Sequence, residues 1–348
     1  MTVNILEHEV SMAEASELLE CYTETINPHT GRYHSVMLWG DIGIGKTSVI
    51  NQLAKRKGRK LILFMTNIRE PVDLRGIPQC DEATRTTVWY PPSELPQVER
   101  DGAEGYLYID EINTGSQQMM AVCMQLVLEG RVGDYVLPPG WRVIASGNRV
   151  KDKAAAIRMP TALRGRFAHV YCKHDMQSWV SWATTAGVAP ELIAFLRFRP
   201  EFLHVKMVGD QNASPSPRTW VAASTHVNAP KKHRLRLMAG HVGDAHAAEF
   251  DGFIDLYRSI GTLENIAKDP DSAPLPSDPS VRYATMTGLA RITDRKNFAN
   301  VIKYAKRLNH RESEILVVHD ATLLQPKLKE TSAYGDWAVN NQDLTIQA

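Results

Sequence analysis

Residues 40–47 read GDIGIGKT and match the pattern G-x-x-x-x-G-K-[ST] of a phosphate-binding loop. The apolar run His34–Trp39 (HSVMLW) precedes them and the helical pattern Lys46–Lys57 follows, so the motif has the strand and the helix that it requires. Glycines let such a loop fold back until successive backbone N–H groups line one anion site, to which the helix N-terminus adds its positive dipole. The sequence therefore predicts a phosphate site between a strand and a helix.

Each residue type in this loop has a chemical task. Lys46 supplies a mobile cation for the β- and γ-phosphates of a nucleotide, and Thr47 supplies a hydroxyl for Mg²⁺. An ordinary Gly-rich turn is disfavoured because strand, loop and helix are all in place. The predicted nucleotide-binding set is Gly40, Asp41, Ile42, Gly43, Ile44, Gly45, Lys46, Thr47 and Ser48.

A second motif, Tyr106–Glu111 (YLYIDE), puts two acids after a run of apolar residues. Ligands of open α/β sheets bind at the C-terminal ends of the strands, where these acids are predicted to lie. Asp110 would hold Mg²⁺ directly or through water, and Glu111 would polarise the attacking water. Asn113 has two open interpretations: it hydrogen-bonds Glu111, or it caps the following helix.

The first half of the chain alternates strand and helix patterns, which predicts an α/β domain with a parallel sheet. Two irregular segments interrupt it: about 73–102, which is rich in proline and predicted to be an inserted hairpin or loop, and about 131–140, a predicted small hairpin. From residue 175 onward, apolar residues recur at three- and four-residue spacing and predict helices. The five predicted strands are His34–Trp39, Lys60–Met65, Gly105–Ile109, Arg142–Ser146 and Ala168–Cys172.

Composition limits the class of protein. The 348 residues suffice for about two domains. The 40 basic residues almost cancel the 39 acidic ones, so no global field attracts nucleic acid or an anionic membrane. No apolar run approaches the roughly 18 residues of a membrane span, the N-terminus lacks the pattern of a signal peptide, and the 4 cysteines are scattered. A cytoplasmic location is expected.

These motifs resemble the AAA+ ATPases, and within them the MoxR branch, over most of Val36–Trp220. The resemblance implies a P-loop NTPase core with a five-stranded parallel sheet over residues 1–174. A mostly α-helical lid and C-terminal region would follow over 175–348, interrupted by the Pro-rich linker 268–280. The DEIN sequence at residues 110–113, the insertion and the hairpin resemble the MoxR branch. The long insertion, the lid segment AAEFDGFIDLY (247–257) and the stretch TSAYGDW (331–337) are similar to phage-type MoxR-like proteins in particular.

The family's further site residues have counterparts here. In IASGN, Asn148 stands where the family has a polar sensor of the γ-phosphate. In PTALRGRF, Arg166 is the first choice and Arg164 the second for an arginine finger, which acts on the nucleotide of a neighbouring subunit. In SPRTW, Arg218 resembles the second sensor at the start of a lid helix.

The resemblance implies a Mg²⁺-dependent ATPase that assembles a homo-oligomeric ring, expected to be a hexamer, and remodels a protein client. In MoxR-like systems that partner commonly has a von Willebrand factor A domain. One alternative is a nucleic-acid motor of McrB type, for which the basic run Lys231–Arg236 (KKHRLR) would be the contact. Another is a nucleotide-gated scaffold with slow turnover. Adenine is favoured over guanine because no N-K-x-D element is found.

Overall fold

The computed structural model describes residues 8–149, 157–207, 212–259, 263–276 and 279–341. The chain forms two compact units, Met1–Ser178 and Trp179–Ala348. None of the helices in the described ranges has both the length and the hydropathy that a membrane span requires.

The first unit alternates strands and helices. Its strands are β1 (Ile26–Asn27), β2 (Arg32–Tyr33), β3 (Val36–Trp39), β4 (Lys60–Met65), β5 (Ile77–Asp81), β6 (Thr86–Tyr90), β7 (Glu104–Asp110), β8 (Arg131–Val132), β9 (Tyr135–Val136), β10 (Gly140–Gly147) and β11 (Ala168–Tyr171). Its helices are α1 (Met12–Glu24), α2 (Lys46–Lys57), α3 (Pro71–Arg75), α4 (Val98–Asp101), α5 (Gln117–Glu129) and α6 (Thr161–Arg164), with a 3₁₀ turn at Thr66–Ile68.

Five of these strands form one parallel sheet in the order β11-β3-β10-β7-β4. Each of them arises from one of the five apolar runs, and β4 has the predicted bounds. The prediction of an α/β fold with a five-stranded parallel sheet is therefore confirmed. Residues 73–102 contain the antiparallel hairpin β5-β6, and residues 131–140 contain the short hairpin β8-β9.

The inner strands β3, β10 and β7 are buried on both faces, so apolar residues can follow one another directly in them, whereas the edge strand β4 is partly exposed. In β3, Val36 and Leu38 pack with α1 and α2 in one core cluster, while Met37 and Trp39 pack with α5 and α6 in another. Side chains of a strand alternate between faces, so consecutive residues of β3 serve two cores. Helices on both faces leave the carboxyl edge of the sheet as the open side on which a ligand site can form.

A buried arginine joins three elements of this unit. Arg142 of β10 is 1% exposed, and its Nε donates to the Thr23 carbonyl at 2.9 Å, at the end of α1. Its Nη1 donates to the Gly140 carbonyl at 2.6 Å, and the guanidinium lies 3.9 Å from the Tyr33 ring centroid. The charge is retained in the interior because carbonyls, an aromatic face and the Glu24 and Glu104 carboxylates surround it.

The second unit is helical. Its helices are α7 (Met176–Thr185), which contains the boundary between the units, α8 (Pro190–Phe198), α9 (Pro217–Ser224), α10 (Lys231–Val242), α11 (Asp244–Ser259), α12 (Leu263–Lys268), α13 (Pro279–Ile292), α14 (Phe298–Arg307), α15 (Arg311–Leu324) and α16 (Ser332–Asn340), with 3₁₀ turns at Pro200–Phe202 and Pro326–Glu330. Phe195 is central in an aromatic cluster, with ring centroids of Trp220 at 5.5 Å and Phe250 at 5.1 Å. Aromatic burial of this kind stabilises the helical unit.

The segment 268–280 is not a free linker. Residues 277 and 278 lie outside the described part, but residues 269–276 form a loop that packs on α14. Ala273 is 7% exposed, the Tyr304 hydroxyl donates to the Pro274 carbonyl at 2.7 Å, and Lys303 pairs with Asp271 at 2.6 Å. Residues 269–276 lie outside helix and strand, whereas Lys268 ends α12 and Pro279 begins α13. Side chains of α14 hold the loop.

Arg142→Met is expected to lower the free energy of unfolding of the first unit by about 3 kcal/mol, because two buried carbonyls lose their donor. Urea denaturation followed by tryptophan fluorescence measures the change. Arg131→Met is the matched control, since the Arg131 side chain is 55% exposed. A loss no larger than that of the control would contradict the structural role of Arg142.

Candidate functional site

The loop between β3 and α2 has the conformation that a phosphate site requires. Gly45, the N-cap of α2, has φ of 110°, a left-handed value that side chains rarely adopt. Gly40 approaches β11 so closely that a Cβ there would lie 3.0 Å from the Cys172 carbonyl oxygen. The nine residues predicted to bind a nucleotide thus form the turn and the first turn of a 12-residue helix. The glycines have the backbone geometry that the motif predicts, and nucleotide binding by these residues stays a prediction.

Lys46 lies inside this loop. Its side chain is 9% exposed, and its Nζ donates to the Gly40 carbonyl at 2.7 Å, the Asp41 carbonyl at 2.9 Å and Asn148 Oδ1 at 3.3 Å. Burial lowers the pKa of the ammonium group below its usual value. The predicted sensor Asn148 and the loop lysine are therefore in direct contact, although 102 residues separate them.

The two residues predicted to hold a metal, Thr47 and Asp110, are linked through Tyr108. The Tyr108 hydroxyl donates to Asp110 Oδ1 at 2.6 Å and lies 3.2 Å from Thr47 Oγ1. Hydroxyl and carboxylate oxygens are the hard ligands that Mg²⁺ prefers, and this site offers both beside the phosphate loop. The residues present fit Mg²⁺ together with a nucleotide phosphate.

Glu111, the predicted general base, follows β7 directly. Its φ is 51°, and its Oε2 accepts from Asn67 Nδ2 at 3.2 Å. Thr66 Oγ1 fixes the backbone by donating to the Glu111 carbonyl at 2.8 Å. Sequence analysis did not identify Asn67; the available signal was a polar residue just after β4, the strand that pairs with β7 and puts Met65 beside Asp110.

Both interpretations of Asn113 are wrong. Its Nδ2 donates to the Asn148 carbonyl at 2.7 Å, and its Oδ1 accepts from the Asn148 N–H at 3.2 Å, whereas Ser116 caps α5. Gly147, the residue before Asn148, leaves room for these two hydrogen bonds, since a Cβ there would lie 2.6 Å from Asn113 Oδ1. Asn113 fixes the backbone of the predicted sensor instead of holding Glu111.

The two candidate finger residues lie around the C-terminal end of α6. The Arg164 side chain is exposed and lines a cavity of about 160 Å³. Arg166 donates through Nη1 to the Ala162 carbonyl, and its Nε is buried without a hydrogen-bond partner among the described residues. The Arg166 side chain thus folds back onto α6, which ends two residues before it, whereas the Arg164 side chain reaches solvent.

A histidine connects this arginine segment to the phosphate-loop strand. Trp39 Nε1 donates to His169 Nδ1 at 2.8 Å, and His169 Nε2 lies 2.8 Å from the Arg164 carbonyl. Because an indole N–H can only donate, Nδ1 is the acceptor and the proton is on Nε2. Burial lowers the pKa of His169, which favours this neutral tautomer.

The remaining predicted features lie in the second unit. Arg218 is exposed in the first turn of α9, where Ser216 and Thr219 form a capping box. In the basic run, Arg234 is 3% exposed and its Nε lies 2.5 Å from Asp251 Oδ1. Lys231 pairs with Asp255 at 2.8 Å. Two of the charges predicted to contact a phosphate backbone are thus neutralised by α11.

No family model and no curated protein matches the chain. Among solved structures, a RuvB mutant of Thermotoga maritima is similar at 13% identity, over 82% of this chain and 83% of that chain, with a TM-score of 0.41. The Thermotoga maritima RuvB Holliday junction branch migration motor has 13% identity over 81% of each chain and a TM-score of 0.39. A putative ATPase from Cytophaga hutchinsonii has 14% identity over 89% of this chain and 79% of that chain, with a TM-score of 0.35. The assignment of the α/β fold with its phosphate loop rests on the strand order and the loop geometry.

Acidification is expected to destabilise the first unit through His169. Its pKa is lowered in the folded state, so the unfolded chain takes up the proton first, and the free energy of unfolding falls as pH drops through about 6.5. The loss continues until pH reaches the folded pKa. Urea denaturation at about pH 7.5 and pH 5.5 measures the difference, and His169→Phe should make it smaller while keeping the ring. His29→Phe, at an exposed position, is the control; an equal reduction there would refute the assignment.

Proposed function

We propose that the chain is a Mg²⁺-dependent ATPase of the AAA+ type, similar to the MoxR branch, that forms a ring and remodels a protein client. The observation that carries this proposal is the convergence of Lys46, Asp110, Glu111 and Asn148 at one edge of the sheet, beside a loop shaped for phosphates. ATP and Mg²⁺ are the ligands that this set of groups suits best.

The binding step uses the loop and its lysine. Backbone N–H groups of residues 40–48 would surround the β-phosphate, and Lys46 would exchange its bonds to the Gly40 and Asp41 carbonyls for phosphate oxygens. Thr47 and Asp110 would hold Mg²⁺, which neutralises charge on the β- and γ-phosphates when bound. The low exposure of Lys46 strengthens its attraction for a phosphate because little water screens it.

Hydrolysis needs a water molecule in line with the γ-phosphate. Glu111 would orient that water, and Asn148 would donate its amide to the γ-phosphate or to the water. Asn67 Nδ2 lies 3.2 Å from Glu111 Oε2. Because a carboxylate has two acceptor oxygens, Asn67 would orient Glu111 through one of them while the other faces the water.

A complete active site would include a neighbouring subunit. Arg166, or Arg164 in second place, would contribute a guanidinium in trans to the γ-phosphate of that subunit's nucleotide, which requires a closed ring, in this family usually a hexamer. Arg166 is preferred on the resemblance alone, because it stands directly before the aromatic Phe167; it would have to leave the Ala162 carbonyl to act in trans. Arg218 would act as the second sensor from the helical lid.

The client follows from the resemblance alone, whereas the cytoplasmic location proposed for this chain follows from its sequence pattern. We propose that the client is a protein with a von Willebrand factor A domain. The nucleic-acid alternative is disfavoured because the 40 basic and 39 acidic residues nearly cancel and because Arg234, 3% exposed, pairs with Asp251, although Lys231 is 77% exposed. Stimulation of turnover by DNA, with a steep salt dependence, would reverse this preference. Assembly that needs ATP but no hydrolysis would favour the scaffold alternative.

Glu111→Gln should leave ATP binding intact and reduce turnover by about 10²-fold or more, because the general base is lost while the phosphate site is unchanged. Phosphate release measures turnover, and equilibrium titration with ATP measures binding. Glu129→Gln, at an exposed position of α5, is the control. Turnover equal to wild type would show that Glu111 is not the base.

Mixing Arg166→Ala subunits with Glu111→Gln subunits should partly restore turnover, since a Glu111→Gln chain can present its arginine to a site whose own glutamate is intact. Phosphate release across a series of mixing ratios, with each variant alone as reference, gives the measurement. Arg131→Ala, which changes an exposed arginine, should already be active when assayed alone. Absence of any rescue would place the arginine's action within one chain.

A further inference from the structure

The carboxylate of Asp110 is held asymmetrically. Three donors converge on Oδ1: the Tyr108 hydroxyl at 2.6 Å, the Glu111 N–H at 3.1 Å, and the Ser146 hydroxyl. No hydrogen bond to Oδ2 occurs within the part of the chain that the structure describes. One oxygen is therefore saturated by the protein, and the other remains for a ligand.

The Tyr108 hydroxyl also determines the direction in which the Thr47 hydroxyl donates its hydrogen bond. Tyr108 has one hydroxyl proton, which goes to Asp110, so at 3.2 Å the Thr47 hydroxyl is the donor and the Tyr108 oxygen the acceptor. The lone pairs of Thr47 Oγ1 then remain available for a cation. Tyr108 thus orients both predicted metal ligands through a single oxygen atom.

The two hydroxyl side chains that hold Asp110 have little freedom to move. Tyr108 and Ser146 are both 0% exposed, and they lie on the adjacent parallel strands β7 and β10. Tyr108 packs with α2 residues in the same core cluster, and its hydroxyl lies 3.0 Å from Ser146 Oγ. Packing rather than solvent therefore fixes the rotation of the carboxylate.

We propose that Tyr108 and Ser146 are positioning residues that make this site select Mg²⁺ over Ca²⁺; the inference rests on the proposed function. With Oδ1 occupied, Asp110 offers one oxygen, Oδ2, to the metal or to its bound water. Mg²⁺ is small, keeps octahedral geometry and retains several waters, so a single oxygen suits it. Ca²⁺ takes six to eight oxygens and often binds a carboxylate through both, which the held Asp110 does not permit.

The test compares the affinity of ADP at saturating Mg²⁺ with its affinity at saturating Ca²⁺, by isothermal titration. We expect wild type to favour the Mg²⁺ complex and Tyr108→Phe to reduce that preference by about tenfold, since a hydrogen bond to a charged group is worth about one such factor. Ser146→Ala should act in the same direction. Affinity for ADP in EDTA should not change.

Tyr106→Phe is the matched control. Tyr106 is on the same strand and in the same core cluster, is 0% exposed, and accepts a hydrogen bond from Arg59 Nη1 at 3.1 Å, remote from Asp110. Its loss should leave the Mg²⁺ to Ca²⁺ ratio unchanged. If Tyr108→Phe does not fold, as judged by thermal unfolding, Ser146→Ala carries the same test.

Equal weakening of the Mg²⁺ and Ca²⁺ complexes in Tyr108→Phe and Ser146→Ala would overturn the inference, because a merely structural role predicts that result. The proposed function would survive, provided that wild type binds and hydrolyses ATP. If wild type binds no nucleotide with either metal, the proposed function fails and the inference fails with it. A tenfold decrease in the preference for Mg²⁺ over Ca²⁺, confined to Tyr108→Phe and Ser146→Ala, would support both the inference and the proposed function.

Discussion

The order of three neighbouring strands determines the chemistry of this protein. Because β3, β10 and β7 run parallel and side by side, their carboxyl ends meet at one edge of the sheet. Lys46 comes from the loop after the first of them, Asn148 from the end of the second and Asp110 from the end of the third. Residues about a hundred positions apart are thereby brought into contact.

The sheet was predictable from sequence because each strand is a short apolar run, too short for a helix, and the inner strands are buried on both faces. Lys60–Met65 has the predicted bounds, and so does α2, which begins at Lys46 and ends before Gly58. The phosphate loop was predictable for a different reason: the spacing of its glycines indicates where the backbone turns back. Both signals lie within short segments, so they can be recognised without knowledge of how distant parts of the chain pack.

Contacts between strands could not be predicted in the same way, because they depend on register. Asn67 lies outside every motif, and the motifs that contain Tyr108 and Ser146 assign them no role. Each acquires its partner only when β4, β7 and β10 align. Asn113 was expected to bond Glu111 or to cap the following helix, yet it bonds to the backbone of Asn148, directly after β10. Arg234 belonged to a run that looked basic as a whole, while its charge is met by carboxylates one helix away.

The contact between Asn113 and the Asn148 backbone constrains how such a protein can diverge. It exists because position 147 has no side chain, since a Cβ would lie 2.6 Å from both Asn113 Oδ1 and Met37 Cε. A larger residue in place of Gly147 requires smaller residues in place of Asn113 and Met37. A smaller residue in place of Asn113 would in turn remove the hydrogen bonds that hold the Asn148 backbone. These positions, on β3, β10 and the segment after β7, are expected to co-vary among descendants of this chain and to change last.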